Sequence, residues 1–404
     1  MIRIFRKIRS KSNVLQTYLY RPALFYRYDY VYNKINLRND IIANLEKQGF
    51  KYKNGKLRFY KPTKIRLRKL NSLAREHILA ENEWLIKENE KEFIENFIAD
   101  GSDIIPSEIK TQLIRVKSEE ESLLFRWIKL HWSIPISAGY GRRLRYIVKD
   151  KSTDKVIGIF GLADPVFALK DRDNYIGWDQ KTKINNLKCI MDGFVIGAVP
   201  PYSNLLGGKL VASLASSDRV YRDFRDKYYN TKALISGKKF KKNIALITTT
   251  SAYGKSSMYD RIKIPDGSAY LHAGWTSGSG EFQFLNGTYQ KLFTVSSLLK
   301  ASGKKKSWGT GVRNRRVVVR EALKNIGLSG DLLYHGIKRE IFISPFGSNW
   351  KEYITGEDKR LRLFKKNSVR DISDYMLNRW IIPRSERDNT YLSFNNKEYS
   401  LASS

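Results

Sequence analysis

The segment RLRYIVKDKSTDKVIGIFGL, residues 143–162, decides the fold class of this chain. Apolar and charged side chains alternate in RLRYIVKD (143–150), the polar turn KSTDK follows, and VIGIFGL (156–162) contains no polar side chain. Two extended runs joined by a short polar turn are typical of a β-hairpin. The hairpin therefore predicts that this part of the chain forms a β-sheet.

The sequence around this hairpin alternates between strand and helix patterns. CIMDGFVIGAV (189–199) is apolar enough for a central strand, and NIALITTT (243–250) is another. The residues between them predict a glycine loop entering a helix that breaks at 216–218, and SAYGKSSMYDRI (251–262) predicts a short helix. The whole pattern predicts an α+β fold with a mixed central sheet flanked by helices.

Composition and pattern divide the chain into four regions. We expect a basic, helical N-terminal region at 1–70, a helical region at 71–138, the mixed sheet at 139–264 and a basic α/β extension at 265–404. Residues 1–70 hold 19 Lys and Arg against 3 Asp and Glu, a net of +16, whereas 71–123 hold 6 against 13, a net of −7. Ser118 and Glu121 have the spacing of a capping box, which predicts that a helix begins there.

Composition excludes several classes of protein. With 404 residues and 42% hydrophobic side chains, the chain builds a core and is not wholly disordered. The single cysteine, Cys189, allows no internal disulfide, and the four histidines lack the spacing of a zinc site. No run reaches the roughly 18 apolar residues of a membrane span. These features predict a cytoplasmic protein with no metal site and no membrane partner.

Net charge indicates the partner. The 74 Lys and Arg exceed the 40 Asp and Glu by 34, and aromatic residues make up 13% of the chain. Such a surface attracts polyanions, and rings beside cations suit stacking on nucleobases. We therefore expect a nucleic acid as partner, with DNA the first candidate.

Three basic segments are the predicted nucleic-acid contacts. They are an arm at 51–70, a loop at 139–146 and a helix stripe at 313–324, and a solvated basic face is the alternative for each. The predicted residues are Lys51, Lys53, Lys56, Arg58, Lys64, Arg66, Arg68, Arg142, Arg143, Arg145, Arg313, Arg316, Arg320 and Lys324.

A glycine pair predicts a phosphate-binding loop. Gly207 and Gly208 stand at a strand-to-helix turn, where backbone N–H groups and the helix dipole favour an anion, and Lys209 follows. Ser203 and Asn204 offer further donors. Tight packing of the helix is the alternative reason for the glycines.

The strand order and this loop resemble the GNAT acyltransferase superfamily, in which the turn after the fourth strand grips the pyrophosphate of coenzyme A. The resemblance implies a GNAT-like sheet, acetyl-CoA as a possible cofactor, and a general-acid role for Tyr259 in the SSMYDRI run (256–262). The superfamily loop reads Q/R-x-x-G-x-G/A, whereas Asn204 and Lys209 stand at its first and last places here. The departure favours a shared fold over a shared cofactor.

Carboxylates suggest a third chemistry. Metal-dependent phosphodiester cleavage needs two or three converging carboxylates to hold Mg²⁺. Asp192 is the catalytic candidate, because it lies in the middle of an apolar strand; an ion pair with Arg142, Arg143 or Arg145 is the structural alternative. The other candidates are Asp164, Asp171, Asp173 and Asp179, of which the first three also have the pattern of turn residues.

Four separated segments resemble the DruA family of Druantia bacterial anti-phage systems. They are FRWIKLHWSIPISAGYGRRLRYIV (125–148), IGIFGLADPVFALKDRDNYIGWD (157–179), VIGAVPPYSNLLGGKLVASLASS (195–217) and LLYHGIKREIF (332–342). The resemblance implies a component of a bacterial phage-defence locus that includes a large helicase, and it implies no known reaction. We therefore expect a nucleic-acid-binding recognition or loading subunit, with an acyl transferase and a metal-dependent nuclease or transposase-like protein as alternatives.

Overall fold

The computed structural model describes residues 25–60, 62–134, 136, 141–232, 237, 239, 241–284, 288, 291–292 and 312–402. Side chains are described for these residues except 25–33, 73, 267–268 and 312–315. The side chain of Arg313 and the first two residues of the predicted 139–146 loop therefore lie outside the described part.

Helices and strands are interleaved along the described chain. The helices are α1 (Phe25–Lys47), α2 (Lys64–Glu81), α3 (Glu83–Phe97), α4 (Glu119–Leu130), α5 (Lys170–Ile176), α6 (Gln180–Asn186), α7 (Gly207–Leu214), α8 (Asp218–Tyr228), α9 (Val312–Asn325), α10 (Trp350–Thr355), α11 (Val369–Met376) and α12 (Ile382–Arg387). The strands are β1 (Phe50–Lys53), β2 (Lys56–Phe59), β3 (Thr111–Arg115), β4 (Arg143–Asp150), β5 (Lys155–Ala163), β6 (Ile190–Ala198), β7 (Leu246–Thr250), β8 (Lys263–Ile264), β9 (Gly267–Ser268), β10 (Leu271–Trp275) and β11 (Glu340–Pro345).

A seven-stranded mixed sheet forms the centre of the fold. Its strand order is β10-β11-β7-β6-β5-β4-β3, and every pair is antiparallel except β6 and β7. The predicted hairpin is β4 and β5, in register with Tyr146 opposite Phe160. The expected α+β fold with a mixed sheet is confirmed.

Strand β5 lies inside this sheet, between β6 and β4, and is buried on both faces. Phe160 and Leu162 pack in one apolar cluster with Leu210 and Val211 of α7. Ile159 packs in a second cluster with α4 and the chain near its C-terminal end. The two helical layers explain why VIGIFGL shows no alternation of apolar and polar side chains.

Glycine allows a close approach inside the sheet. A Cβ on Gly161 would lie 2.3 Å from the ring of Phe194 on the neighbouring strand β6. Because no side chain fits there, the far end of the Phe194 ring lies against the backbone of β5 at Gly161.

Two local predictions have opposite outcomes. The capping box is confirmed, since the Ser118 hydroxyl accepts from the N–H of Glu121 at 3.1 Å and the Glu121 carboxylate accepts from the N–H of Ser118 at 3.0 Å. The short helix predicted at 251–262 is wrong, because these residues form successive turns. Strands β10 and β11, from the predicted C-terminal extension, complete the central sheet instead of forming a separate one.

The chain forms two compact units. One contains the described residues of 1–60 and 279–336, and the other contains 61–278 and 337–404. The first has its own core, which includes Ile41 and Leu45 of α1 and Leu323 of α9. Each unit joins two stretches that are distant in sequence. None of the described helices combines the length and the apolar character needed to cross a bilayer.

A buried carboxylate fixes the C-terminal segment of the second unit. Glu90 of α3 is 5% exposed, and it accepts from Trp127 Nε1 at 3.0 Å and from the N–H groups of Leu401 and Ala402 at 2.8 and 3.1 Å. The Ser400 hydroxyl donates to it at 2.8 Å. Burial raises the pKa of Glu90, but the hydrogen bonds outweigh burial and leave the pKa below its usual value.

We expect Glu90→Gln to lower the free energy of unfolding by about 2–4 kcal/mol. An amide has one acceptor oxygen where the carboxylate has two, so it cannot accept from all four donors. Urea unfolding followed by circular dichroism measures the change. Glu92→Gln, an exposed change on the same helix, is the matched control. Equal midpoints for the two variants would contradict the role given to Glu90.

His131, just after α4, is held in the same layer. Its ring stacks on Tyr399 with centroids 3.7 Å apart, and Nε2 lies 2.8 Å from the Tyr399 carbonyl oxygen. Burial lowers the pKa of His131 to about 4, although the carbonyl contacts act in the opposite direction. The neutral ring is therefore the folded form at neutral pH.

Acid should weaken this packing. The unfolded His131 takes up a proton near pH 6.5 and the folded one only near pH 4, so stability is full above about pH 6.5 and falls as the pH drops towards 4. Urea midpoints measured between pH 7 and 4 test this. In His131→Gln the loss over that interval should be smaller than in wild type, whereas His77→Gln, on an exposed site, should leave it unchanged.

Candidate nucleic-acid interface

The hairpin of β1 and β2 presents its cations on one face. Lys51 lies opposite Arg58 and Lys53 opposite Lys56, and all four are exposed. Their neighbours point the other way, where Phe50 and Leu57 are buried. Successive side chains alternate between the two faces of a strand, so one face becomes fully cationic.

A tight turn sets this register. Asn54 and Gly55 connect the two strands, and both have positive φ, 50° and 75°. Two central residues with positive φ match the twist of a two-residue hairpin, and the Asn-Gly pair is favoured for it. The turn brings Lys53 and Lys56 directly opposite each other.

A second cationic site lies at the start of α2, in the other unit. Lys64, Arg66 and Arg68 are exposed there, and no acidic residue lies in the first turn. The Thr63 hydroxyl caps the helix by accepting from the N–H of Arg66 at 3.3 Å. Since a helix N-terminus already carries partial positive charge, these cations add to a field that favours an anion.

Only part of the predicted stripe on α9 faces solvent. Arg320 and Lys324 are exposed, whereas Arg316 is half-buried. The described stripe therefore has two surface cations, one turn apart.

Arg142 makes structural contacts within the protein. Its Nε donates to Asp164 Oδ1 at 2.6 Å and its Nη1 to the Lys188 carbonyl at 2.8 Å. The guanidinium also lies 5.1 Å from the ring centre of Phe224. Arg143, the next residue, is exposed, and Arg145 is half-buried with its Nη2 donating to Ser122 at 3.2 Å.

The glycine loop satisfies its own backbone. The N–H groups of Ser203, Asn204 and Gly207 donate to carbonyls of the same turn at 2.8, 3.0 and 2.9 Å, and those of Leu205 and Leu206 do likewise at 3.1 and 3.3 Å. A Cβ on Gly207 would lie 2.7 Å from the Tyr202 carbonyl oxygen. The glycine is therefore required by the tight turn, and the loop amides do not form an open phosphate cradle.

Lys209 faces into the protein. Its ammonium donates to the carbonyls of Ser257 and Asp260 at 2.9 and 2.8 Å and to that of Met258 at 3.3 Å. It also lies 4.7 Å from the ring centre of Trp380, and burial lowers its pKa. Three carbonyls use all three of its protons. Together with the filled loop, this arrangement does not fit the pyrophosphate of coenzyme A.

Tyr259 has the surroundings of a core residue. It is 5% exposed, and its ring packs on Tyr270 and Phe342 with centroids 4.9 and 5.1 Å apart. Its hydroxyl lies 3.4 Å from the Thr249 hydroxyl. Burial raises the pKa of Tyr259 to about 12, which disfavours proton release from its hydroxyl.

The carboxylates singled out in the sequence have separate structural partners. Asp171 Oδ2 accepts from the Trp275 N–H at 2.8 Å, Asp173 pairs with Lys183 at 2.7 Å, and Asp179 caps α6. Within the described residues no three His, Cys, Asp or Glu side chains form a group able to hold a metal ion. The arrangement gives no support to a two-metal nuclease centre.

Asp192 accepts a hydrogen bond from the backbone of a neighbouring loop. Its Oδ2 accepts from the Val166 N–H at 3.0 Å. Burial raises the pKa of Asp192 to about 6, and the opposing cation is Arg172, not the three arginines expected from the sequence. Arg172 is fully buried and also donates to the carbonyls of Val166 and Phe167 at 3.0 and 3.3 Å. In the sequence, only the position of Arg172 between Asp171 and Asp173 indicated that this arginine has an acidic partner.

Removing the Lys209 ammonium should destabilise the protein. We expect Lys209→Met to lower the free energy of unfolding by about 3 kcal/mol, because three carbonyls lose a charged donor. Urea unfolding measures the change, with Lys263→Met, on an exposed site, as control.

Acetyl-CoA should leave the melting temperature of the wild type unchanged. A coenzyme-dependent rise in wild type that Lys209→Met abolishes would contradict the structural role.

Comparison with known proteins identifies related chains. The family model described as "Druantia protein DruA" matches residues 61–356. A Druantia protein DruA from Escherichia coli (strain UMEA 4076-1) is 37% identical over 359 residues, which cover 88% of each chain. No solved structure matches this chain. The residues that the family model matches contain the start of α2 and the whole central sheet, but the β1–β2 hairpin lies before them.

Proposed function

The chain belongs to the Druantia protein DruA family, and we propose that it is the nucleic-acid-binding component of a bacterial anti-phage system. The observation that carries the proposal is the cationic face of the β1–β2 hairpin, in a chain whose net charge is +34. Phosphate contacts dominate nucleic-acid affinity, and such a face supplies them.

Electrostatics favours a polyanion on this hairpin. Like charges directly opposite each other on paired strands destabilise the pair, and Lys51 with Arg58 and Lys53 with Lys56 form two such pairs. A phosphate backbone across the face would offset the repulsion. The same contacts would read charge and spacing rather than base identity, so we propose weakly sequence-specific binding.

An exposed aromatic side chain borders the cations. Tyr60, just after β2, is 64% exposed, whereas Tyr52 is half-buried on the opposite face of the hairpin, where it pairs with Leu57. Rings beside a phosphate-binding surface stack on unpaired bases, each contributing about 1–3 kcal/mol. This supports single-stranded segments, with DNA the first candidate, as ligands of the hairpin.

Two further groups extend the proposal. The exposed cations at the start of α2 and the pair Arg320 and Lys324 on α9 offer additional phosphate contacts. The proposed role is recognition or loading of nucleic acid for the other proteins of the Druantia locus, among which the resemblance implies a helicase. That role would be performed in the bacterial cytoplasm.

We propose that the sheet is GNAT-like in fold, without acyl transfer. In chain order β6 is the fourth strand of the sheet, and the glycine loop follows it, as the superfamily resemblance implies. The closed loop and the inward Lys209 support inheritance of the fold alone.

Neutralising the hairpin face should reduce both affinity and its dependence on salt. For the variant Lys51→Gln, Lys53→Gln, Lys56→Gln and Arg58→Gln, we expect the slope of log K against log salt to fall by about 0.7 for each single-strand phosphate that is no longer neutralised. Fluorescence anisotropy with single- and double-stranded DNA and RNA across a salt series measures it.

The matched control removes four exposed cations elsewhere. Lys170, Lys263, Lys359 and Arg370, all changed to Gln, lower the net charge equally. This control should keep a slope near that of wild type. If both variants lost affinity equally, binding would depend on the net charge of the chain rather than on the hairpin. A wild type with no salt-dependent binding would refute the proposed function.

A further inference from the structure

A small cationic cavity lies where β3 ends and β4 begins. It encloses about 140 Å³ and is lined by Arg115, Val116, Arg143, Leu144, Arg145 and Lys227. Four of the six lining residues are positively charged and none is negative. They come from the end of β3 and the residue after it, from β4 and from the last turn of α8, all within one unit.

Backbone contacts hold these three elements together. The N–H of Val116 donates to the Arg145 carbonyl at 2.8 Å, which fixes the end of β3 against β4. The Lys227 ammonium donates to the Arg143 carbonyl at 3.0 Å, and the Tyr228 hydroxyl contacts the same carbonyl at 2.7 Å. The cations therefore converge on a rigid frame, which lowers the entropic cost of binding a ligand.

A carboxylate meets this group of cations. Asp223 pairs with Arg115 at 3.3 Å, but it also pairs with Arg219 at 3.1 Å and accepts from the Tyr146 hydroxyl at 3.0 Å. Burial lowers the pKa of Lys227, and repulsion from Arg115 and Arg145 lowers it further. The pKa of Arg145 is lowered in the same way, first by burial and then by repulsion from Arg143. The cations thus repel one another, and an added anion would relieve the repulsion.

We propose that this cavity binds a phosphomonoester group: the terminal phosphate of a nucleic acid or the phosphate of a free nucleotide. Pockets for whole small molecules span about 300–1,000 Å³, so the volume suits a head group rather than a base and sugar. Near pH 7 a monoester carries a charge of about −1.5 to −2, against −1 for each backbone diester. Arginine forks also match its oxygens.

The choice of a monoester follows from the charge. Four converging cations attract a dianion more strongly than the singly charged diester of a backbone. The cavity would therefore bind the phosphorylated end of a strand in preference to its interior. The nucleic-acid source rests on the proposed function; the phosphate chemistry does not.

The test compares oligonucleotides that differ only in a 5′-phosphate or a 5′-hydroxyl, by fluorescence anisotropy on the full chain at fixed salt. We expect the phosphorylated strand to bind about tenfold more tightly, the effect of one charged hydrogen-bonded group. Arg143→Gln and Lys227→Gln, both at exposed residues, should bring the ratio close to one. Lys359→Gln, with the same loss of charge, should keep it.

A second measurement uses no nucleic acid. Inorganic phosphate and adenosine monophosphate, at constant ionic strength set with chloride, should raise the melting temperature of wild type and Lys359→Gln but not of Arg143→Gln or Lys227→Gln. Circular dichroism without ligand checks that all variants are folded.

The outcomes separate the two proposals. If strands with a 5′-hydroxyl do not bind but phosphate still stabilises only the chains with an intact cavity, the proposed function fails and the cavity is a nucleotide-phosphate site. If strands bind with no preference for a 5′-phosphate and phosphate stabilises no chain, the cavity proposal is overturned and the proposed function stands. A preference that persists unchanged in both cavity variants also overturns it.

Discussion

Burial of both faces of the central sheet constrains where the charge of this chain lies. Strand β5 is enclosed between α7 on one side and α4 with the C-terminal segment on the other. A charge without a partner in either layer would cost several kcal/mol. The buried cations Arg172 and Lys209 are therefore bound to carbonyl oxygens, whereas cations such as Lys53 on the hairpin and Arg320 on α9 lie on exposed surfaces.

Cations of the same type have opposite roles for this reason. Lys209 and Arg172 are buried and hold turns together through carbonyl oxygens. Lys53 and Lys56 lie directly opposite each other on the exposed hairpin face, and their charges repel each other. Only the contacts separate a structural cation from one proposed to bind a ligand, since the residue types are the same.

The sequence was informative where structure depends on neighbours in the chain. The β4–β5 hairpin and the Ser118 capping box were predicted because both are formed by residues within about 20 positions. The glycine loop shows the limit, because an open phosphate cradle and a tight self-satisfied turn use the same residues. The cavity was missed because Arg115 and Lys227 meet Arg143 only through strand pairing and helix packing. The places of β10 and β11 in the sheet were missed for the same reason.

The carboxylate of Glu90 also has a consequence for biosynthesis. Its partners Ser400, Leu401 and Ala402 follow it by more than 300 residues. At about 5–20 residues per second, a ribosome needs roughly 15–60 s to add that length. During this interval α3 and α4 have emerged while the surface that Tyr399 and Leu401 will cover, including Trp127, stays open. Chaperones bind such apolar surfaces, so the interval between synthesis of Glu90 and of its partners is a period in which this layer is open to them.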